Sequence, residues 1–222
     1  MKIKLVLLSS LIILSFLKGY TQEAERFQSE VDKLIAIEHT VGDSDRVLLF
    51  TGSSSIRMWK TLQDYFEGYY TINNGFGGSH MSDLLFYSED LVHVFNPEMI
   101  FIYEGDNDIA AGKNKKEIAK STKRLLKEIK KKHPGTTVVL IAAKPSPLRW
   151  DFKKEYEDLN AYFEKLASRK KNIYYADVWD PMLDDKGMVI KELFIEDDLH
   201  MNEDGYIIWG KVLNDLLKNI NE

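Results

Sequence analysis

Cysteine is absent from the 222 residues. That excludes disulfides, and it excludes the lipoprotein anchor that needs a Cys just after its cleavage site. An excess of basic charge is lacking too: 30 Lys and Arg stand against 35 Asp and Glu, a net of −5. Such a chain has no basic footprint for nucleic acid. Its densest basic run, Lys123 to Lys132, is interleaved with Leu125, Leu126 and Ile129, as on the solvated side of an amphipathic helix. Internal repeats, low-complexity tracts and linkers are also missing. What is present, 44% hydrophobic and 12% aromatic residues, excludes a disordered chain. The length suits one sizeable core better than two.

The N-terminus reads differently from the rest. Met1-Lys2-Ile3-Lys4 is a short basic start. Leu5 to Leu17 is apolar apart from Ser9, Ser10 and Ser15, and Gly19-Tyr20-Thr21 supplies small residues for a peptidase. This order predicts a signal peptide over residues 1–21 and a domain over 22–222. The apolar run is shorter than the roughly 20 residues of a spanning helix, so cleavage is expected in place of a retained anchor. Of the 30 basic residues, Lys2, Lys4 and Lys18 leave with the signal, so 27 remain against 35 acids, a net of −8. Export without disulfides suits a bacterial periplasm or exterior.

Short apolar runs then alternate with amphipathic stretches. Strands are expected at 46–51 (RVLLFT), 69–73, 98–103 (EMIFIY), 136–143 (TTVVLIAA) and 172–178 (NIYYADV). Helices are expected at 22–40, 55–66, 82–94, 115–133, 150–170 and 202–219, that over 115–133 being stopped by Pro134-Gly135. The strands are continuous apolar runs, so both sheet faces are covered. Together these predict a three-layer α/β/α sandwich around a five-stranded parallel sheet. Sites in such sheets form at the carboxyl ends of the strands.

Several polar segments sit where that rule directs. Gly52-Ser53-Ser54-Ser55 follows the first strand and opens a helix, where backbone N–H groups suit a nucleophile that generates an oxyanion. Serine there also serves as a plain helix cap. The phosphate-loop pattern is missing, and Ile56 stands where the G-x-S-x-G elbow needs its second glycine. Asn73 to His80 carries glycines that allow close backbone approach, and one of its N–H groups is a candidate oxyanion donor. Glu104-Gly105-Asp106-Asn107-Asp108 offers the Asn107 amide to the same oxyanion. Its alternating carboxylates also fit a metal site, although no H-E-x-x-H motif accompanies them. Asp197-Asp198-Leu199-His200 brings a carboxylate and an imidazole three residues apart into a turn, the spacing that lets Asp fix the tautomer of His. The same residues also read as surface acids and a satisfied histidine. Lys144 to Trp150 is a further segment that follows a strand, and Trp59, Phe76, His80, Lys144, Arg149 and Trp150 are candidates to face substrate, each with a packing, loop or capping reading that weighs more.

Taken in order, these segments resemble the SGNH hydrolases, also called GDSL esterases, over essentially the whole chain after residue 21. The G-D-S block is similar to Gly52-Ser53-Ser54, the glycine block to Gly78 (with Gly77 as its alternative), G-x-N-D to Gly105-Asp106-Asn107-Asp108, and D-x-x-H to Asp197 and His200. Ser53 replaces the family Asp, which is outside the triad but leaves the bracing of the nucleophile loop open. GSSSIRMW, INNGFGGS, YEGDNDIAAG and KPSPLRW resemble a branch of the family with poorly defined substrates.

The resemblance implies a flavodoxin-like fold and a serine esterase. Its expected catalytic set is Ser54 as nucleophile, His200 as base, Asp197 as orienter, and the N–H groups of Ser54 and Gly78 with the Asn107 side chain as oxyanion donors. It implies no metal and no organic cofactor. The expected substrates are small-molecule or glycan esters, such as O-acetylated carbohydrates. A lipid-directed esterase or thioesterase and a non-catalytic glycan-binding protein are the alternatives on the same fold. Neither nucleic acid nor a lasting membrane anchor is expected as a partner.

Overall fold

The computed structural model describes residues 25–42 and 45–221, so the expected signal peptide lies outside the described residues. The five apolar runs pair as β1 (Val47–Gly52), β2 (Tyr70–Gly75), β3 (Met99–Tyr103), β4 (Thr137–Ile141) and β5 (Ile173–Ala176). All pairings are parallel, in the order β2-β1-β3-β4-β5. β1 and β3 are buried at every position, whereas the edge strands β2 and β5 are buried only in part. That difference is why the central strands read as unbroken apolar runs.

The helices are α1 (Gln28–Ile35), α2 (Ser54–Arg57), α3 (Met81–Phe86), α4 (Asp106–Ala110), α5 (Lys115–Lys132), α6 (Lys153–Ala167) and α7 (Glu203–Asn221). They cover both faces of the sheet, giving the three-layer α/β/α sandwich expected. α5 opens on a capping box: the Asn114 side chain accepts from the Lys116 and Glu117 N–H groups, and Glu117 accepts from the Asn114 N–H. Ile118, Leu125, Leu126 and Ile129 form its buried stripe, and its lysines stay outside.

Three expected helices are interrupted, each with an identifiable cause. The stretch 55–66 is α2 followed by a separate 3₁₀ turn, Leu62–Tyr65. Asn73 Nδ2 donates to the carbonyls of Ile56 and Trp59, which a continuing helix would have used itself. Trp59 then turns into the core, stacked on Tyr206 with centroids 5.3 Å apart. The stretch 82–94 is α3 followed by a wide turn at Glu89–His93, where Asn74 Nδ2 takes the Leu91 carbonyl. Pro147 opens a 3₁₀ stretch, Pro147–Phe152, ahead of α6. The N-terminal helix is also shorter than expected, a 3₁₀ turn at Glu25–Phe27 leading into α1.

The strand order places the site. From β1 the chain moves to one side to make β2, then crosses back over β1 to make β3. β1 and β3 are therefore the switch point, where outgoing loops diverge and leave a crevice. In register, Gly52 lies beside both Gly75 and Tyr103, so the three loops that follow start level with one another.

Candidate active site

Ser54 is the first residue of α2, directly beyond β1. The chain can leave the sheet here only because residue 52 is glycine. Gly52 has φ +125°, and a Cβ on it would sit 2.0 Å from the Tyr103 carbonyl oxygen. The same carbonyl accepts the Ser53 N–H at 3.0 Å. The Ser53 carbonyl accepts the N–H groups of Ile56 and Arg57, and the Tyr206 hydroxyl donates to the Ser55 carbonyl at 2.9 Å. Backbone contacts thus brace the loop in which Ser53 stands for the family Asp.

His200 and Asp197 lie in the turn before α7. His200 Nε2 is 2.8 Å from Ser54 Oγ, across 146 residues of sequence. His200 Nδ1 is 2.5 Å from Asp197 Oδ2. The other carboxylate oxygen, Oδ1, accepts the backbone N–H groups of Leu199 and His200 at 2.9 and 2.8 Å. Burial alone would raise the Asp197 carboxyl. The hydrogen bonds from the His200 ring and from both N–H groups outweigh it and hold the group at about 2. An ionised Asp on Nδ1 leaves Nε2 as the lone pair facing Ser54. This chain can carry a proton off the serine hydroxyl.

The glycine loop after β2 separates its two candidates. Gly77 N–H donates to Glu30 Oε1 of α1 at 3.0 Å, and Arg57 bridges to the same carboxylate oxygen at 3.2 Å. Gly78, at φ +77°, has no partner for its N–H among the described residues, and neither does Ser54. Asn107, in α4, donates from Nδ2 to the Ser79 carbonyl at 3.0 Å, which ties the loop after β3 to the glycine loop. Its Oδ1 accepts from Arg149 at 3.1 Å.

The carboxylates considered for a metal are engaged separately. Asp106 accepts from Arg149 at 2.5 Å, from the Tyr103 hydroxyl at 3.0 Å and from the Tyr156 hydroxyl. Asp108 accepts the Met81 N–H and pairs with Lys113. Glu104 meets the Ser79 hydroxyl at 2.6 Å. Among the described residues no group of three His, Cys, Asp or Glu is arranged to hold a metal ion.

Of the residues considered to face substrate, Trp59 and Phe76 are core. Trp150 stacks on Trp179. His80 Nδ1 meets Lys113 Nζ at 2.8 Å. Lys144 and Arg149 are not simple caps. Lys144 is buried, and its Nζ donates to the Leu199 carbonyl at 2.6 Å, inside the Asp197–His200 turn. Burial pulls its ammonium down to about 8, although Asp106 and Asp197 both oppose that shift. These contacts, and that of Glu30, span 27 to 55 residues, so local spacing carries no sign of them. Their only trace is composition: a Lys and an Arg in a loop directly after a core strand.

Solved structures share this fold. A GDSL-like lipase from Bacteroides thetaiotaomicron is 20% identical, with a TM-score of 0.72 covering 89% of this chain and 98% of that one. A catalytic mutant of an acetylxylan esterase from Geobacillus stearothermophilus is 14% identical, with a TM-score of 0.66 over 79% and 94%. A carbohydrate esterase of family 3 from Talaromyces cellulolyticus is 14% identical, with a TM-score of 0.61 over 79% and 97%. No curated protein matches the chain in sequence. The fold is that of the SGNH hydrolases. Residues 40–208 match the model of the GDSL-like Lipase/Acylhydrolase family; the chain belongs to that family and is an ester-bond hydrolase.

Proposed function

We propose that the protein is an exported serine esterase that hydrolyses short-chain acyl esters, such as O-acetylated carbohydrates, through an acyl-Ser54 intermediate. The observation that carries the mechanism is the unbroken line from Ser54 Oγ to His200 Nε2 at 2.8 Å and from His200 Nδ1 to Asp197 at 2.5 Å. His200 takes the proton of Ser54 as the oxygen attacks the ester carbonyl carbon. Asp197 stabilises the imidazolium that results. The carbonyl oxygen, now negative, is held by the N–H groups of Ser54 and Gly78 and by Asn107 Nδ2. Collapse breaks the bond to the alcohol oxygen, which leaves with the proton from His200. Water then attacks acyl-Ser54, with His200 again as base, and the acid departs.

The carbohydrate-ester reading is supported by two solved proteins of this fold that are named as an acetylxylan esterase and a carbohydrate esterase. Export is supported by the basic, apolar and small-residue order of residues 1–21. The test is hydrolysis of p-nitrophenyl acetate, butyrate and octanoate by the chain from residue 22, beside Ser54→Ala. We expect preference for acetate and a loss of about 10⁶-fold in kcat in the mutant. Equal turnover by the mutant removes the acyl-serine mechanism, and preference for octanoate moves the substrate to lipids.

A further inference from the structure

The segment after β4, Lys144 to Trp150, supplies no reacting atom in the scheme above. Arg149 nevertheless reaches the oxyanion side with two separate N–H groups. One donates to Asp106 Oδ1 at 2.5 Å and the other to Asn107 Oδ1 at 3.1 Å. We propose that Arg149 is the positioning residue of the oxyanion hole, setting which end of the Asn107 amide faces the developing charge. This inference rests on Asn107 being an oxyanion donor.

The chemistry of the two groups makes the case. A primary amide has a donor end and an acceptor end of nearly equal shape, so packing alone distinguishes them poorly. A guanidinium has donors only. The end of Asn107 that faces Arg149 must therefore be Oδ1, and the NH₂ group is turned toward Ser79 and the site. One of its hydrogens meets the Ser79 carbonyl, and the second has no partner among the described residues. A hydrogen bond accepted at Oδ1 also polarises the amide, so that its N–H bonds become stronger donors.

Arg149 is itself held in place. Asp106 fixes one edge of its planar fork, and the Tyr103 and Tyr156 hydroxyls fix Asp106. The guanidinium side chain is only 16% exposed and the carboxylate 7%. A neighbouring cation cannot take over: Lys144 Nζ is committed to the Leu199 carbonyl. A lysine at 149 would keep a positive charge beside Asp106 but lack the fork that bridges two acceptors.

That difference supplies the experiment. kcat and KM for p-nitrophenyl acetate are measured for the wild type, Asn107→Ala, Arg149→Lys and the double mutant, with thermal midpoints for each. Arg149→Lys is expected to lower kcat by about tenfold with KM unchanged, and to cost less than about twofold when Asn107 is already Ala, as coupled neighbours do. Equal losses in both backgrounds, a loss expressed in KM, or wild-type kcat in Arg149→Lys would overturn the positioning role while leaving Asn107 as donor. Full activity in Asn107→Ala overturns the donor reading and the positioning role together. Arg149→Gln covers the case in which Arg149→Lys does not fold. Its amide can donate to Asn107 Oδ1 but cannot bridge Asp106 and Asn107 together, so it too should lower kcat with KM unchanged, and only where Asn107 is present. Equal losses with and without Asn107 would overturn the proposal.

Discussion

The loop after β3 and the turn before α7 each bring an aspartate to the same crevice, and they hold it by opposite means. Asp197 is 44% exposed on its side chain and is satisfied within its own turn, by groups two and three residues away. Asp106 is 7% exposed and is satisfied by Arg149 and Tyr156, 43 and 50 residues away, along with Tyr103. Burial would raise Asp106, but Lys144 and Arg149 hold it below the ordinary range. Glu104, two residues before Asp106, makes no ion pair among the described residues. Burial and the charge of Asp108 push it well above the usual carboxylate range, and one of its oxygens has no partner among the described residues. The lesson is that the carboxylate presented to a histidine is the one whose other partners are local, and the carboxylate locked into the fold is the one whose partners are distant and buried.

Asp197→Asn tests the local arm and should show the largest effect. Without an acceptor for His200 Nδ1–H the imidazole loses its tautomer, and kcat should fall on the order of 10⁴-fold. The thermal midpoint should fall only modestly, because Asn keeps an oxygen for the N–H groups of Leu199 and His200 and the lost charge is partly exposed. A loss under about tenfold would remove Asp197 from the triad. Asp106→Asn tests the buried arm and should invert the pattern. Removing one charge of a buried pair leaves Arg149 unpaired and should cost about 3 kcal/mol of stability, read by denaturant unfolding. Unchanged stability would show that the network is not architectural.

Glu104→Gln sharpens the contrast with the smallest effect, and its sign depends on pH. The folded pKa of Glu104 lies above its unfolded value. Its contribution is therefore fully present below about 4.5 and is lost as pH rises through the folded pKa. Gln cannot ionise, so stability relative to wild type should improve from pH 4 to pH 8 in thermal melts. Asp197 has the opposite dependence: with its carboxyl held near 2, its contribution is present at neutral pH and lost as pH falls toward 2. A pH-independent difference between Glu104→Gln and wild type would mean that Glu104 is ionised in the fold.

Much of this was legible before any coordinates. The strand runs are continuous and apolar because both sheet faces are covered, and all five lie within two residues of where the pattern puts them. Helices were less legible where a distant side chain took over their carbonyls, as Asn73 does for Ile56 and Trp59. Ser54, Asn107, Asp197 and His200 each announced themselves by residue type directly after a strand or before a helix. Lys144 and Arg149 were marked by their place after a strand, but as candidates to face substrate; their actual partners, and Glu30 altogether, were not legible, since those contacts span 27 to 55 residues.

The sequence by itself determined the alternating β and α order and the Asp197–His200 turn, because each depends on periodicity or on contacts a few residues long. Only the tertiary structure decided that the Gly77 N–H is occupied while that of Gly78 has no partner among the described residues, since Glu30 arrives from 47 residues away. It likewise decided that Asp106 is an anchor and that Arg149 orients Asn107. Burial and long-range hydrogen bonds exist only once the sheet has set its order, and those two forces choose which polar groups are left free to act.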